Sequence, residues 1–445
     1  MIDKKHYIDK PWFYLLITAM GIAFYWLSYH TKRENFSQVI SLFSFLFAAY
    51  FVAWKYFSIT NFKSLMIAGI LFRLLLLFSV PNLSDDVYRF IWDGRLAANG
   101  VNPFSHFPAQ IMGMPKITGI TKELFNQLNS PNYYTIYPPV LQGIFWLSGK
   151  LFPVNVFSAI VFMKCIIVIV ELANFFLLIQ LLKKLSLPKH LSLLYFVNPL
   201  VIAELTGNLH FEGVMIFFVL LAFLLVLQNN WQSSAICLAL GIATKLIPVL
   251  FLPLIVNKLE WKKGLLYSLI TGFTTLILFG FVFDIATSQH LLKSVELFIH
   301  KFEFNASIYY LVRYVGTRIT GYNIIAFAGP VLSSIGATII FSLSFRNKEN
   351  SDKGFFSKAL LIISTWFLFS TTVHPWYICL PVTLAVLTTY SYAIIWSFTA
   401  TLSYAAYQSN PVKENLWLVG AGYIFMIGYM LWEWKKKQKP GFVSE

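Results

Sequence analysis

Apolar runs long enough to cross a bilayer recur along most of this chain, and a water-soluble fold has nowhere to bury so many of them. They occupy residues 11–28, 38–55, 64–80, 157–182, 191–205 and 214–228. Others follow at 264–283, 324–345, 356–370, 376–389, 391–407 and 416–432. A helix needs about 20 such residues to span the hydrocarbon core. Composition points the same way, with 58% of residues hydrophobic, 12% charged and a mean hydropathy of +0.67. The expectation is an all-α polytopic membrane protein, residues 1–445 forming a single integral membrane domain. The start of the chain is basic, but the run after it lacks a small-residue cleavage site. Residues 11–28 therefore read as a retained span and not a signal peptide.

A formal net charge of +15 suggests nucleic acid at first sight. The basic residues sit instead in short loops between runs, where they orient a membrane protein. Lys4, Lys5 and Lys10 place the N-terminus inside. Lys183, Lys184 and Lys189, then Lys258, Lys262 and Lys263, mark further inside loops, as do Arg346, Lys348, Lys353 and Lys358. Lys435, Lys436, Lys437 and Lys439 place the C-terminus inside. Lys32 and Arg33 break the pattern, because they fall in an outside turn.

Two apolar pieces do not fit as ordinary spans. Residues 138–152 are short for a crossing. Residues 236–256 are interrupted by Lys245 and Pro248. For the basic loops to stay inside, both must enter and leave by one face, and non-helical backbone at that depth is tolerated only where it is buried or lines a cavity. Two long outer loops remain, 81–137 and 284–322, and their aromatic content argues against disorder. The cysteines Cys165, Cys237 and Cys379 all lie in apolar runs and form no metal or disulfide pattern.

The chemistry-bearing residues concentrate in the first outer loop. Asp85, Asp86, Arg89, Asp93 and Arg95 fall within eleven residues of one another. On a helix Asp86, Arg89 and Asp93 share a face, and Asp85 is spaced i, i+4 from Arg89. Crowded carboxylates raise one another's pKa unless cations compensate, which suits a general base acting on a hydroxyl. An ion-paired helix start at the membrane edge is the plainer alternative. Tyr137-Pro138-Pro139 opens the first short piece as a helix entry. His210 and Glu212 lie between two runs, after the break at Asn198-Pro199. Lys245 lies in apolar sequence where an ammonium costs about 2.5–3.5 kcal/mol, so it needs an anion, either a protein carboxylate such as Glu171 or a ligand phosphate. Lys164 and Glu171 are spaced to pair along one span, and Arg73 is similarly placed in another. Tyr309 belongs to an aromatic-polar stretch suited to an interfacial helix. His374, beside Trp376 and Tyr377, suits either a sugar face or an interface anchor.

In this order the pieces resemble membrane-embedded glycosyltransferases of the GT-C fold, in particular bacterial mannosyltransferase-like members. They are Asp85-Asp86-Val87-Tyr88-Arg89, Trp92-Asp93-Gly94-Arg95, Asn102-Pro103-Phe104 and Tyr137-Pro138-Pro139. Asn198-Pro199, His210-Phe211-Glu212, Thr244-Lys245-Leu246-Ile247-Pro248 and His374-Pro375-Trp376-Tyr377 continue the series. The resemblance implies a GT-C-like bundle of about 12–13 transmembrane helices with re-entrant segments, in the cell membrane of a bacterium. It also implies a polyprenyl-phosphate-linked sugar as donor and a glycan, lipid or protein hydroxyl as acceptor. The acidic pair maps to Asp85 and Asp86, with Asp85 at the position usually assigned to catalysis. Where the family often has His-Asn-Asp, this chain has His210-Phe211-Glu212. Arg89, Arg95 and Lys245 are then the cations for a departing phosphate, and Asp93, Tyr137, His210, Glu212, Tyr309 and His374 the remaining substrate contacts. No nucleotide-binding glycine loop is present. The carboxylates leave room for a divalent cation without a distinctive ligand set. A transporter or flippase of lipid-linked sugars would use the same buried charges. It would also carry a repeat of two halves, which the sequence lacks. A non-catalytic subunit of an envelope complex is the other class of reading.

Overall fold

The computed structural model describes residues 10–283, 285–346 and 351–438. Lys4, Lys5, Lys348 and Lys439, used above as orientation signals, lie outside these residues, as does Asp284 at the start of the second loop. Among the described residues the regular structure is helical, apart from one isolated bridge between Phe304 and Thr372.

Six helices are long and apolar enough to cross a membrane. They are α1 (Lys10–Tyr29), α2 (Phe36–Phe57), α6 (Val156–Lys184), α10 (Trp261–Gly280), α13 (Ile325–Phe345) and α16 (Leu416–Gln438). A seventh crossing is made if Pro199–Gly207 and α7 (Glu212–Leu227), bent by 115° to one another, count as one span. The other apolar runs of the sequence fold as shorter or broken helices: α3 (Phe62–Leu76), α8 (Trp231–Ile242), α9 (Leu252–Leu259), α14 (Asp352–Phe369) and α15 (Cys379–Val386). One apolar core joins them, from Phe13 in α1 to Met426 in α16. The outward faces are apolar too. Leu276 on α10 is 72% exposed and Trp417 on α16 is 90% exposed, a surface suited to lipid and not to water.

A polar knot lies in the core. Arg73 of α3 donates to Glu171 of α6 at 3.0 Å and to the Phe196 carbonyl at 2.7 Å. Glu171 also accepts from Tyr195 at 2.7 Å and from Asn174 at 3.0 Å, and Asn174 reaches the Gly213 carbonyl at 2.9 Å. The expected Lys164–Glu171 pair does not form. Two turns of helix separate them by about 10 Å along the axis, too far for contact. Lys164 instead donates to the Leu76 and Ser79 carbonyls at 2.9 and 2.7 Å, closing the end of α3.

The acidic motif opens α4 (Asp86–Ala98), and the short piece at 138–152 forms α5 (Pro139–Leu151). The two cross backbone to backbone. A Cβ on Gly94 would stand 2.1 Å from the Phe145 carbonyl oxygen, and one on Gly149 would stand 2.3 Å from that of Gly94. Only glycine permits this approach. Thirteen residues make α5 too short to cross a bilayer. Its start is hydrogen bonded, Val140 N to Ala243 O at 3.0 Å, to the break after α8 where Lys245 sits. The loop 81–137 also meets the chain on either side of residue 284, where α11 (Ile285–His300) and α12 (Ile308–Thr320) follow. Asn102 donates to the Val282 carbonyl at 2.7 Å, and the Tyr134 and His290 rings stack at 3.9 Å.

Candidate active site

Asp85 takes the position just before α4 but makes no capping bond there. Its carboxylate is held by Arg33, at 2.6 Å, from the turn between α1 and α2. The Arg33 guanidinium also lies 5.1 Å from the Tyr407 ring centroid. The basic residue that contradicted the orientation rule is therefore tied to the acidic motif, and that contradiction was the signal for it. Asp86, half-buried in the first turn of α4, accepts from Asn129 at 2.8 Å. Burial pushes the Asp86 carboxyl above its usual range and the charges of Glu212 and Asp85 add to this, while Asn129 and Lys245 pull it back.

Lys245 stands in the turn between α8 and the tight helix Ile247–Phe251. The apolar run breaks there because Pro248 cannot continue α8. The ammonium pairs with Glu212 at the start of α7 and lies 5.6 Å from the Tyr377 ring centroid. Its protein partner is thus Glu212, and Glu171 is committed to Arg73. The second carboxylate oxygen of Glu212 is buried without a partner. Beside this pair opens a cavity of about 270 Å³, lined by Tyr137, Lys245, Ile247, Trp366, Thr372 and Tyr377 among others. Tyr137, Tyr377 and Lys245 are all within electrostatic reach of Asp86.

His210 and His374 flank Trp376 on its two faces, with ring centroids at 3.7 and 4.3 Å. Phe304 stacks on the far side of His374 at 4.9 Å. Both faces of Trp376 are occupied by imidazole, so this indole is not a platform for a sugar ring.

The structure thus brings Asp85, Asp86, Tyr137, His210, Glu212, Lys245 and His374 to one region. Four other candidates lie in buried packing. Asp93 is fully buried and accepts from Arg89 at 2.8 Å, Thr135 at 2.5 Å and Gln142 at 3.1 Å. Arg89 also donates to the Ser130 and Tyr133 carbonyls, so it fastens the loop to α4. Arg95, on the opposite face of α4 from Asp86, donates to the Gly119 carbonyl at 2.7 Å. Tyr309 is fully buried, bonded to Glu303 at 2.6 Å and Asn323 at 2.9 Å, and is not one of the side chains lining the cavity. Among the described residues no three or more His, Cys, Asp or Glu side chains are grouped to hold a metal ion.

The pattern of the alpha-(1->6)-mannopyranosyltransferase N-terminal domain matches residues 17–259, more than half of the chain. The chain belongs to this family. It is also 23% identical over 185 residues to alpha-(1->6)-mannopyranosyltransferase A of Corynebacterium glutamicum. That alignment takes in 41% of this chain and 36% of the relative, so the chain spans well under two thirds of the relative's length. The family match contains Asp85, Asp86, Tyr137, Glu212 and Lys245. Trp366, Thr372 and Tyr377, which complete the cavity, lie beyond it.

Proposed function

We propose that this protein is a membrane glycosyltransferase of the GT-C class that moves a mannosyl group from a polyprenyl-phosphate donor to a hydroxyl acceptor at the outer face of the membrane. The observation that carries this reading is a cavity whose wall combines one ammonium, Lys245, with apolar, aromatic and hydroxyl side chains, and whose Lys245, Tyr137 and Tyr377 lie within electrostatic reach of Asp86. A ligand with an apolar body and a phosphate fits such a wall. Asp86 is the better base of the acidic pair, because Arg33 already occupies the carboxylate of Asp85. In the proposed step Asp86 removes the proton from the acceptor hydroxyl, whose oxygen bonds to the anomeric carbon. The bond from that carbon to the phosphate oxygen breaks, and polyprenyl phosphate leaves with the electron pair. Lys245 offsets the charge that develops on the leaving oxygen. The family's name, alpha-(1->6)-mannopyranosyltransferase, supports a mannosyl group transferred in a 1->6 linkage.

Purified protein in lipid nanodiscs, supplied with radiolabelled mannosyl phosphopolyprenol and a short α-(1->6)-linked mannose oligosaccharide, should produce labelled oligosaccharide. Reconstituted liposomes that move the donor across the bilayer uncleaved, with no labelled oligosaccharide, would identify a transporter instead.

A further inference from the structure

The proposed active site rests on a carboxylate that its own motif does not contain. Glu204 lies in an apolar run and is fully buried. It sits in a wide, π-type turn, Ile202–Gly207, where Asn208 N reaches back to the Ala203 carbonyl at 2.8 Å. Such turns insert a residue into the helical register and are often found at functional sites. The insertion carries Glu204 toward its own downstream neighbours. Asn208 donates to one carboxylate oxygen at 3.3 Å, and His210 Nε2 stands 3.6 Å from that oxygen. The Tyr404 hydroxyl donates to the other.

Two routes run from this carboxylate to the segment that presents the acidic pair. The Asn208 side-chain oxygen accepts from Leu83 N at 3.2 Å, two residues before Asp85. Tyr404 packs on Tyr407 at 6.1 Å, Tyr407 faces Arg33, and Arg33 holds Asp85. A third contact, through the stacking of His210 on Trp376, ties the same turn to the cavity wall around Tyr377. A buried carboxylate whose oxygens are met by groups from two elements fixes geometry more strictly than packing alone, because each unmade bond leaves a buried polar group unpaired.

We infer that Glu204, with Asn208 and Tyr404, is a positioning residue for transfer, fixing the 83–86 segment so that Asp86 addresses the acceptor. This inference rests on the reading of Asp86 as base and is tested beside it. The donor and acceptor of the nanodisc assay serve as probes, with kcat, donor KM and thermal midpoint measured for each variant. Glu204→Gln keeps the shape but puts an amide where Asn208 presents its own. It should lower kcat about 10-fold or more while donor KM and thermal midpoint stay near those of the unmodified protein. Adding Asn208→Asp restores an amide–carboxylate pair with reversed polarity and leaves an oxygen for Leu83 N, so the double variant should recover most of the lost kcat. Tyr404→Phe deletes only one donor and should cost a smaller factor in kcat; it decides the matter if Glu204→Gln does not fold. The inference is overturned if Glu204→Gln or Tyr404→Phe retains full kcat, or if the loss comes with equal changes in thermal midpoint and donor KM and no recovery in the double variant. Asp86→Asn is the control that separates the two claims. Should Asp86→Asn remain fully active, the reading of the base fails, whatever Glu204 does.

Discussion

At the scale of single residues, two neighbouring carboxylates have been given different surroundings. Asp85 is held by a guanidinium, whereas Asp86 is half-buried among aromatic rings with only an amide and a distant ammonium for relief. Asp86→Asn should therefore lower kcat by about 10²–10⁴-fold, the usual contribution of a general base. In the unmodified protein kcat should fall in acid through a limb above the ordinary carboxylate value of about 4, because the buried carboxyl has its pKa raised. The sign for stability follows from the same shift. A group whose folded pKa is raised favours the fold most at low pH and loses that contribution as pH climbs through the folded value. Once ionised, Asp86 weakens the fold, so Asp86→Asn should melt no lower than the unmodified protein; a clearly lower midpoint would contradict the sign. Lys245 and Glu212 behave oppositely. Lys245→Met strands a buried carboxylate and should cost up to about 3 kcal/mol, since the lysine is partly exposed. Adding Glu212→Gln should restore the thermal midpoint yet leave donor affinity impaired. Recovery of affinity along with stability would make the lysine purely structural.

At the scale of elements, the long apolar helices were readable because burial in lipid leaves uninterrupted runs. The break at Lys245 was readable for a related reason, a charge and a proline where neither belongs. Glu204 was not. It sits at the edge of an apolar run, and its partners Asn208 and His210 meet it only because a wide turn shifts the register, which no simple helical spacing announces. Arg33 was visible as an anomaly, but its partner, far along the chain, was not. Asp93 and Arg95 were drawn toward the ligand by their charge, yet α4 turns them into its own packing. The crossing of α4 and α5 was also hidden, since two glycines carry no pattern of their own. Gly94→Ala should show how much depends on it. The added methyl meets a backbone carbonyl that cannot swing aside, so a loss toward the upper end of the usual 1–3 kcal/mol for overpacking is expected, roughly that range in a melting experiment, with Gly143→Ala as the silent comparison. An unchanged Gly94→Ala melt would mean the helices separate freely.

At the scale of the whole molecule, the family pattern ends near residue 259 while the apolar core continues to α16. The loop 81–137 and the C-terminal lysines should lie on opposite faces of the membrane. Cysteine placed at the exposed Gln127 should react with an impermeant maleimide in intact cells, and cysteine at Lys435 only after permeabilisation. The reverse pattern would invert the proposed topology and with it the face on which transfer occurs.

The cavity draws its walls from two parts of the chain. One wall, with Tyr137 and Lys245, comes from the half of the chain that the family pattern recognises; the other, with Trp366, Thr372 and Tyr377, comes from the half it does not. On the function proposed above, the charged wall and the wall that faces it are encoded apart, so a change at Trp366 or Thr372 reshapes the space offered to a ligand while Lys245 keeps its place.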